Sequence, residues 1–244
     1  MKRELELLRV KMKETGVDAC LIPTSDFHGS EYVGDYFKCR EYISGFTGSA
    51  GTLVVTLDEA GLWTDGRYFL QAAKQLSGSG ITLMRERQPG VPSIEEYLKT
   101  TLKKGETLGF DGRCIMAEYA DTLITQLNAL GVAVRTDIDL PGAMWEKRPP
   151  LSAQAVWPLP VEYAGESSES KIKRVREFLS EKKAQYLLLT SLEDIAWLLN
   201  MRGNDVESTP VILSYLLLGE KKLTWYVQEK CLSEKIKILL DMQG

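Results

Sequence analysis

The sequence contains a single histidine, His28, which stands two residues after Asp26. A histidine with a carboxylate to orient it is the pair that general-base catalysis uses. Residues two apart in a loop rarely converge, however, and no nucleophile is evident, so the sequence favours a solvated or internally satisfied imidazole. A single histidine also excludes the HExxH zinc helix and three-histidine zinc sites within this chain.

The four cysteines, Cys20, Cys39, Cys114 and Cys231, lie far apart and form no CxxC pair. They cannot supply a zinc knuckle at the usual spacing. We therefore expect no metal site on this chain. The amino-terminal residues are charged and amphipathic rather than apolar, which indicates a cytoplasmic protein with reduced, mostly buried thiols and no disulfides.

Arg40 precedes a glycine-rich segment in which Gly45, Gly48 and Gly51 recur every third residue. Glycines at such spacing can cradle a phosphate, but phosphate loops open a helix, whereas this segment leads into the apolar run 52–56. The alternative is a tight turn that needs close approach of the backbone, with Arg40 in a surface ion pair. The sequence favours the turn.

A second polar group lies in the segment Trp63–Phe69. Asp65 is placed to cap a helix that begins near Gly66, and Arg67 to pair with a neighbouring carboxylate. No catalytic base stands nearby, so a structural role is favoured over a catalytic one.

A third polar group, Arg202 with Asp205, follows an apolar helical stripe. Gly203 is expected to end that helix as a C-cap, and Asp205 is expected in the turn. An arginine held on such a capped turn could equally face a ligand cleft.

The elements that must position these residues occur twice. Apolar residues at i, i+3, i+7 spacing predict an amphipathic helix at residues 5, 8 and 12, and again at 172, 175 and 179. Apolar runs at 19–22 and 186–189 follow, and continuous runs favour central strands covered on both faces. Ser191 is expected to cap the next helix. Hairpins are predicted at 52–56 with 61–64 and at 215–218 with 223–226.

The repeat defines the predicted domains. We expect an α/β domain with a mixed sheet over residues 1–146, a proline-rich linker over 147–168, and a second α/β domain over 169–244. The second copy has fewer elements than the first, so by the logic of the repeat its last third is missing.

Composition excludes several partners. The chain has 244 residues and a net charge of -4, too small and of the wrong sign for electrostatic binding of nucleic acid. No tract of about 18 apolar residues could span a bilayer. Neither nucleic acid nor a membrane is expected as a partner.

Taken in order, three segments carry a family resemblance. Arg40 with Ser44–Gly51, Trp63–Tyr68 with Gln71 and Ala72, and Asn200–Val206 together resemble the amino-terminal part of a three-domain Xaa-Pro aminopeptidase, aminopeptidase P. The resemblance covers nearly the whole chain and implies two tandem creatinase-type, ribonuclease H-like domains, the second truncated. One departure is Pro210 after Thr209, where the family more often has Asn-Pro.

The resemblance also implies a function. In the family a separate pita-bread domain binds two divalent metals, usually manganese, and removes the first residue from peptides with proline in second position. Those metal-binding segments are absent here, so we expect a substrate-gating and assembly region that is inactive alone and forms a homodimer in the full-length enzyme. Arg40 would reach the substrate peptide, with Arg202, Asp205 and His28 as weaker candidates for substrate binding. The alternative is a non-catalytic binding or regulatory module with the same fold.

Overall fold

The computed structural model describes residues 2–243, and for 241–243 only the helical backbone. The chain divides into two compact units. The first comprises the residues up to 31 together with 36–149, and the second comprises 32–35 together with the residues from 150 onward. The four cysteines are free thiols, and Cys20, Cys39 and Cys231 are buried. No helix in the described part is long and apolar enough to cross a membrane.

The first unit is a six-stranded mixed sheet with helices on both faces. Its helices are α1 (Arg3–Thr15), α2 (Cys39–Ser44), α3 (Phe69–Gln75), α4 (Ile94–Thr101), α5 (Ala117–Asn128) and α6 (Leu140–Met144). Its strands are β1 (Ala19–Pro23), β2 (Thr52–Thr56), β3 (Ala60–Thr64), β4 (Thr82–Arg85), β5 (Thr107–Gly109) and β6 (Ala133–Arg135), in the sheet order β4-β3-β2-β1-β5-β6. β1 and β3 are both antiparallel to β2, and β1 is parallel to β5.

Alternation along β1 explains its continuous apolar run. Cys20 and Ile22 pack into one core with α1 and α2, whereas Ala19 and Leu21 pack into another with α4 and α5. A strand buried on both faces needs apolar residues at every position. The prediction of a central strand is confirmed for this copy.

The second unit is built around a three-stranded antiparallel sheet in the order β11-β10-β8. Its strands are β7 (Trp157–Pro158), β8 (Tyr186–Leu189), β9 (Met201–Arg202), β10 (Ser214–Gly219) and β11 (Leu223–Val227), and its helices are α7 (Val161–Ala164), α8 (Ser168–Glu181), α9 (Leu192–Leu199) and α10 (Glu234–Gln243). β7 pairs with β9 in a separate two-stranded ribbon. The predicted α/β class is confirmed; the sheet of the first unit is mixed, and the described strands of the second unit pair in the antiparallel sense.

The repeat extends to strand register. Ala19 of β1 pairs with Thr56 of β2, and Tyr186 of β8 pairs with Gly219 of β10 in the same antiparallel sense. The predicted proline-rich linker is not bare coil, because β7 and α7 lie within it and the second unit begins at residue 150.

Three local predictions are wrong. β8 is an edge strand in the described part of its sheet, and Leu188 is 60% exposed rather than covered on both faces.

The helix expected near Gly66 begins at Phe69, because Asp65 closes a turn onto Arg67 instead of capping the helix. α9 ends at Leu199, and Asn200 after it takes the left-handed conformation at φ 51° that Gly203 was expected to supply. Asparagine tolerates that region better than most residues.

Candidate functional site

Arg40 lies in α2 and is nearly fully buried, with 4% of its surface exposed. Its Nε donates to Thr24 Oγ1 at 2.7 Å and its Nη1 to the carbonyl oxygen of Phe46 at 2.8 Å. Nη2 donates to the carbonyl oxygen of Gly48. The guanidinium therefore links the end of β1 to residues 45–51, which we call the glycine turn.

The expectation that Arg40 forms a surface ion pair is wrong. Its hydrogen bonds go to two backbone carbonyls and a hydroxyl, none of which carries a formal charge. The carbon Cζ of Arg40 also lies 4.7 Å from the centre of the Phe46 ring, as in a cation–π contact. Burial lowers the pKa of Arg40 to about 10, against an opposing effect of Glu41, so the side chain remains cationic at neutral pH.

At each glycine of the turn, a different steric constraint favours glycine over residues with a side chain. Gly45 follows α2 at φ 73°, in the left-handed region that glycine enters without strain. At Gly48 a Cβ atom would lie 2.3 Å from the Phe46 ring, and at Gly51 it would lie 3.0 Å from the carbonyl oxygen of Trp63. The turn is therefore closely packed at Gly48 and Gly51, whereas Thr47 between them and α2 is exposed.

The orientation of the backbone argues against phosphate binding by the glycine turn. Two of its carbonyl oxygens point at the Arg40 guanidinium. The amide of Thr47 donates to Gln75 Oε1 at 3.1 Å. A phosphate loop needs free amides at the start of a helix, and this turn leads into strand β2. The tight-turn interpretation fits the observed geometry.

Side chains from α3 hold the outer part of the turn, and the sequence analysis missed their roles. Gln71 and Gln75 each donate from Nε2 to Thr47 Oγ1 at 2.9 Å. The hydroxyls of Ser49 and Tyr68 lie 2.7 Å apart. Periodicity places these side chains on exposed helix positions but gives no sign of what they contact.

Arg67 pairs with Asp65; the sequence predicts a neighbouring carboxylate as its partner but assigns Asp65 to a helix cap instead. The distance from Arg67 Nη2 to Asp65 Oδ2 is 2.8 Å, and a longer contact of 3.7 Å reaches Glu31. Hydrogen bonds from the side chain and the backbone amide of Arg67 lower the pKa of Asp65. The Arg67 side chain is 61% exposed and that of Asp65 is 35% exposed, so water and salt screen the pair.

Asp26 and His28 converge, contrary to the sequence-based expectation. Nδ1 of His28 lies 3.5 Å from Asp26 Oδ2, and the His28 side chain is only 4% exposed, so the solvated alternative is wrong. Asp26 Oδ1 accepts the backbone amides of His28 at 2.8 Å and Ser30 at 2.9 Å. Burial alone would raise the pKa of Asp26, but the hydrogen bonds from His28 and Ser30 outweigh it and lower that pKa.

Arg202 and Asp205 lie in the second unit. Arg202 donates from Nη1 to the carbonyl oxygens of Ala196 and Met201, and burial lowers its pKa. Asp205 is buried and accepts from Ser152 Oγ at 2.6 Å and from the amides of Gln154 and Leu213, both at 2.9 Å. Asp205 therefore joins three segments of the chain, which is more than the turn role predicted for it.

The described residues do not fit a metal centre. Within them, no three His, Cys, Asp or Glu side chains are grouped so that they could hold a metal ion. Burial also raises the pKa of the Cys39 thiol to about 12, with a smaller opposing effect of Arg148, which disfavours the thiolate that metals bind. We therefore assign no metal-dependent catalytic step to these residues.

The fold and the turn define a class of protein: a tandem pair of α/β units, the first with an arginine-braced glycine turn, and with no group of three metal-binding side chains among the described residues. A family model described as Creatinase/Prolidase N-terminal domain matches residues 4–143, and a second model of the same description matches 147–244. The chain belongs to the creatinase/prolidase N-terminal domain family.

Relatives of known name agree with this assignment. The chain is 37% identical to Xaa-Pro aminopeptidase 1 of Dictyostelium discoideum, over 97% of this chain and 39% of that protein. It is 39% identical to the probable Xaa-Pro aminopeptidase P of Sordaria macrospora, over 98% of this chain and again 39% of the relative. The chain thus spans about two fifths of the length of these relatives.

A solved structure matches both units. The X-prolyl aminopeptidase of Caenorhabditis elegans, described as a cytosolic enzyme with a di-nuclear active site, superposes with a TM-score of 0.91 at 32% identity. The match covers 100% of this chain and 42% of that one. Both units therefore have counterparts in a longer enzyme.

Proposed function

We propose that this chain is the substrate-gating and assembly region of a metal-dependent Xaa-Pro aminopeptidase, which removes the first residue from peptides with proline in second position. The observation that carries the proposal is the unequal coverage: matches extend over 97% or more of this chain but only 39–42% of the relatives. The relatives named above are Xaa-Pro or X-prolyl aminopeptidases. The described residues lack a metal cluster, so the chemistry belongs to another part of such an enzyme.

The proposal includes the setting of the whole enzyme. Two divalent ions, which we propose to be manganese, would polarise the scissile carbonyl when bound to a separate catalytic domain. We assign the enzyme to the cytoplasm and to a homodimer. The description of the C. elegans relative as cytosolic and di-nuclear supports the compartment and the number of metals.

Within this region Arg40 is our main candidate for contact with the peptide. A guanidinium has five N–H groups, and Arg40 uses one on each nitrogen in its three hydrogen bonds. Two N–H groups thus remain for a peptide carbonyl or carboxylate. The rigid turn beneath would fix their direction. Arg202, Asp205 and His28 are weaker candidates, because the family resemblance assigns the peptide contact to the arginine before the glycine turn and not to them.

The test begins with the gene. We expect codons downstream of Gly244 to encode two Asp, one His and two Glu as metal ligands, and the full-length product to cleave Xaa-Pro peptides. In that product Arg40→Lys should lower kcat/KM by about 10- to 100-fold, because lysine cannot reproduce the fork. The exposed Arg67→Lys is the matched control and should retain activity. A full-length product without the ligand set and without activity would instead support a non-catalytic binding module.

A further inference from the structure

A basic groove lies in the second unit, where β8 begins and β10 ends. Its volume is about 790 Å³, and its lining includes four cationic side chains, Arg176, Lys183, Lys221 and Lys222, and one carboxylate, Glu220. The chain as a whole has a net charge of -4. The groove is therefore positively charged, although the chain as a whole carries a net negative charge.

Arg176 has one terminal nitrogen unsatisfied at this groove. Its Nε donates to the carbonyl oxygen of Gly219 at 3.1 Å. Its Nη2 is buried and has no hydrogen-bond partner. Among the described residues, no carboxylate lies within ion-pair distance of the guanidinium. A buried donor without a partner costs stability, so the second unit holds Arg176 at this place at an energetic cost.

The first unit contains the equivalent arginine in a different setting. Arg9 stands 167 positions before Arg176, and its Nε donates to the carbonyl oxygen of Thr56, also at 3.1 Å. There Nη1 of Arg9 is 3.5 Å from the carboxylate of Glu6. The residue equivalent to Glu6 in the second unit is Lys173. The second copy thus keeps the backbone contact and lacks the carboxylate at this position; Lys173 itself lies 4.0 Å from Glu177 Oε1.

The hairpin turns of the two copies also differ in charge, and the turn of the second unit is the more positive. The turn between β2 and β3 carries Asp58 and Glu59, whereas the turn between β10 and β11 carries Glu220, Lys221 and Lys222. The acidic turn of one copy is therefore mainly basic in the other.

Lys183 occupies a position where glycine would be more stable. After α8 the amides of Lys183 and Ala184 donate to the carbonyls of Ser180 and Leu179, which is a Schellman ending with Lys183 in the left-handed region at φ 55°. α1 ends in the same way, but with Gly16 at φ 67°. The second copy thus has a strained lysine whose side chain lines the groove.

We propose that this groove binds a small molecule that carries two or more phosphate groups. The fork of Arg176 matches a phosphate at the inner wall, and the three lysines supply point charges for further phosphates. A volume of 790 Å³ lies within the usual range of small-ligand sites, about 300–1,000 Å³. The terminal carbonyls of α8 that accept the Schellman hydrogen bonds are already satisfied, which weakens their repulsion of an anion.

Titration of the 244-residue chain with inorganic tripolyphosphate, followed by calorimetry, tests the proposal. We expect saturable binding of one equivalent. Lys183→Gly should weaken binding at least about threefold and raise the unfolding temperature by about 2–4 °C, since it removes a charge and relieves backbone strain. Arg176→Lys, which keeps the charge and loses the fork, should weaken binding at least about fivefold.

The matched control is Lys182→Gln, which removes a positive charge one position from Lys183 but outside the groove lining. Its affinity should stay within about twofold of the unmodified chain. Equal weakening by the changes at 182 and 183 would show diffuse attraction instead of a site and would overturn the proposal. Absence of binding at millimolar tripolyphosphate, or an unchanged affinity in Lys183→Gly, would overturn it as well.

Discussion

At the scale of single residues, Arg40 stabilises the first unit through contacts that have no charged partner. Arg40→Ala would leave the carbonyls of Phe46 and Gly48 and the hydroxyl of Thr24 without their donor in a buried place. We expect the free energy of unfolding to fall by about 2–4 kcal/mol. Urea denaturation measures the loss, with the exposed Arg67→Ala as the control that leaves stability nearly unchanged. Equal stability of Arg40→Ala and the unmodified chain would contradict the observed role.

Asp26 makes the stability of the same unit depend on pH. Its pKa is lowered in the folded chain, so its contribution is fully present above the unfolded pKa, about 3.9, and is lost as the pH falls through the folded pKa. Asp26→Asn should therefore lower the free energy of unfolding by about 1 kcal/mol at pH 7, and the difference should shrink towards pH 2.

Urea titrations at neutral and acid pH give the comparison for Asp26, and Asp58→Asn in the exposed turn after β2 provides the control. A difference that persisted undiminished at pH 2 would show that the introduced amide disturbs packing and that the charge of the aspartate is not the cause.

At the scale of elements, the periodicity of apolar residues predicts the helices and strands that are long and amphipathic. α1 and α8 follow from their apolar stripes, and both hairpins follow from alternating runs around polar turns. The sequence pattern does not predict α2, β4 or β5, because these elements are three to six residues long and give no periodic signal. The burial of Arg40 was equally hidden, because two of its three acceptors are backbone carbonyls, which every residue possesses.

The edge position of β8 predicts a difference in amide exchange. β1 has hydrogen-bonded neighbours on both sides, whereas within the described sheet β8 pairs with β10 alone. We expect faster hydrogen exchange across 186–189 than across 19–22 in a dilute monomeric sample, since an edge strand has amides open to water. The central strand β10 is the control within the same unit and should exchange slowly. Slower exchange across 187–227 than across 19–64 would show that the second unit needs no further strand.

At the scale of the whole molecule, the side chains that could bind a metal predict that the chain alone has no metal-dependent peptidase activity. The single imidazole is enclosed beside Asp26, and no metal-binding group of three side chains exists among the described residues. Tight manganese or zinc sites need a first shell of several such ligands. We therefore expect no peptidase activity from the 244-residue chain and no stoichiometric heat on titration with manganese. The C. elegans relative, described as di-nuclear, serves as the positive control. A site of micromolar affinity on this chain, or cleavage of an Xaa-Pro peptide by it, would show that the metal chemistry does not require a separate catalytic domain.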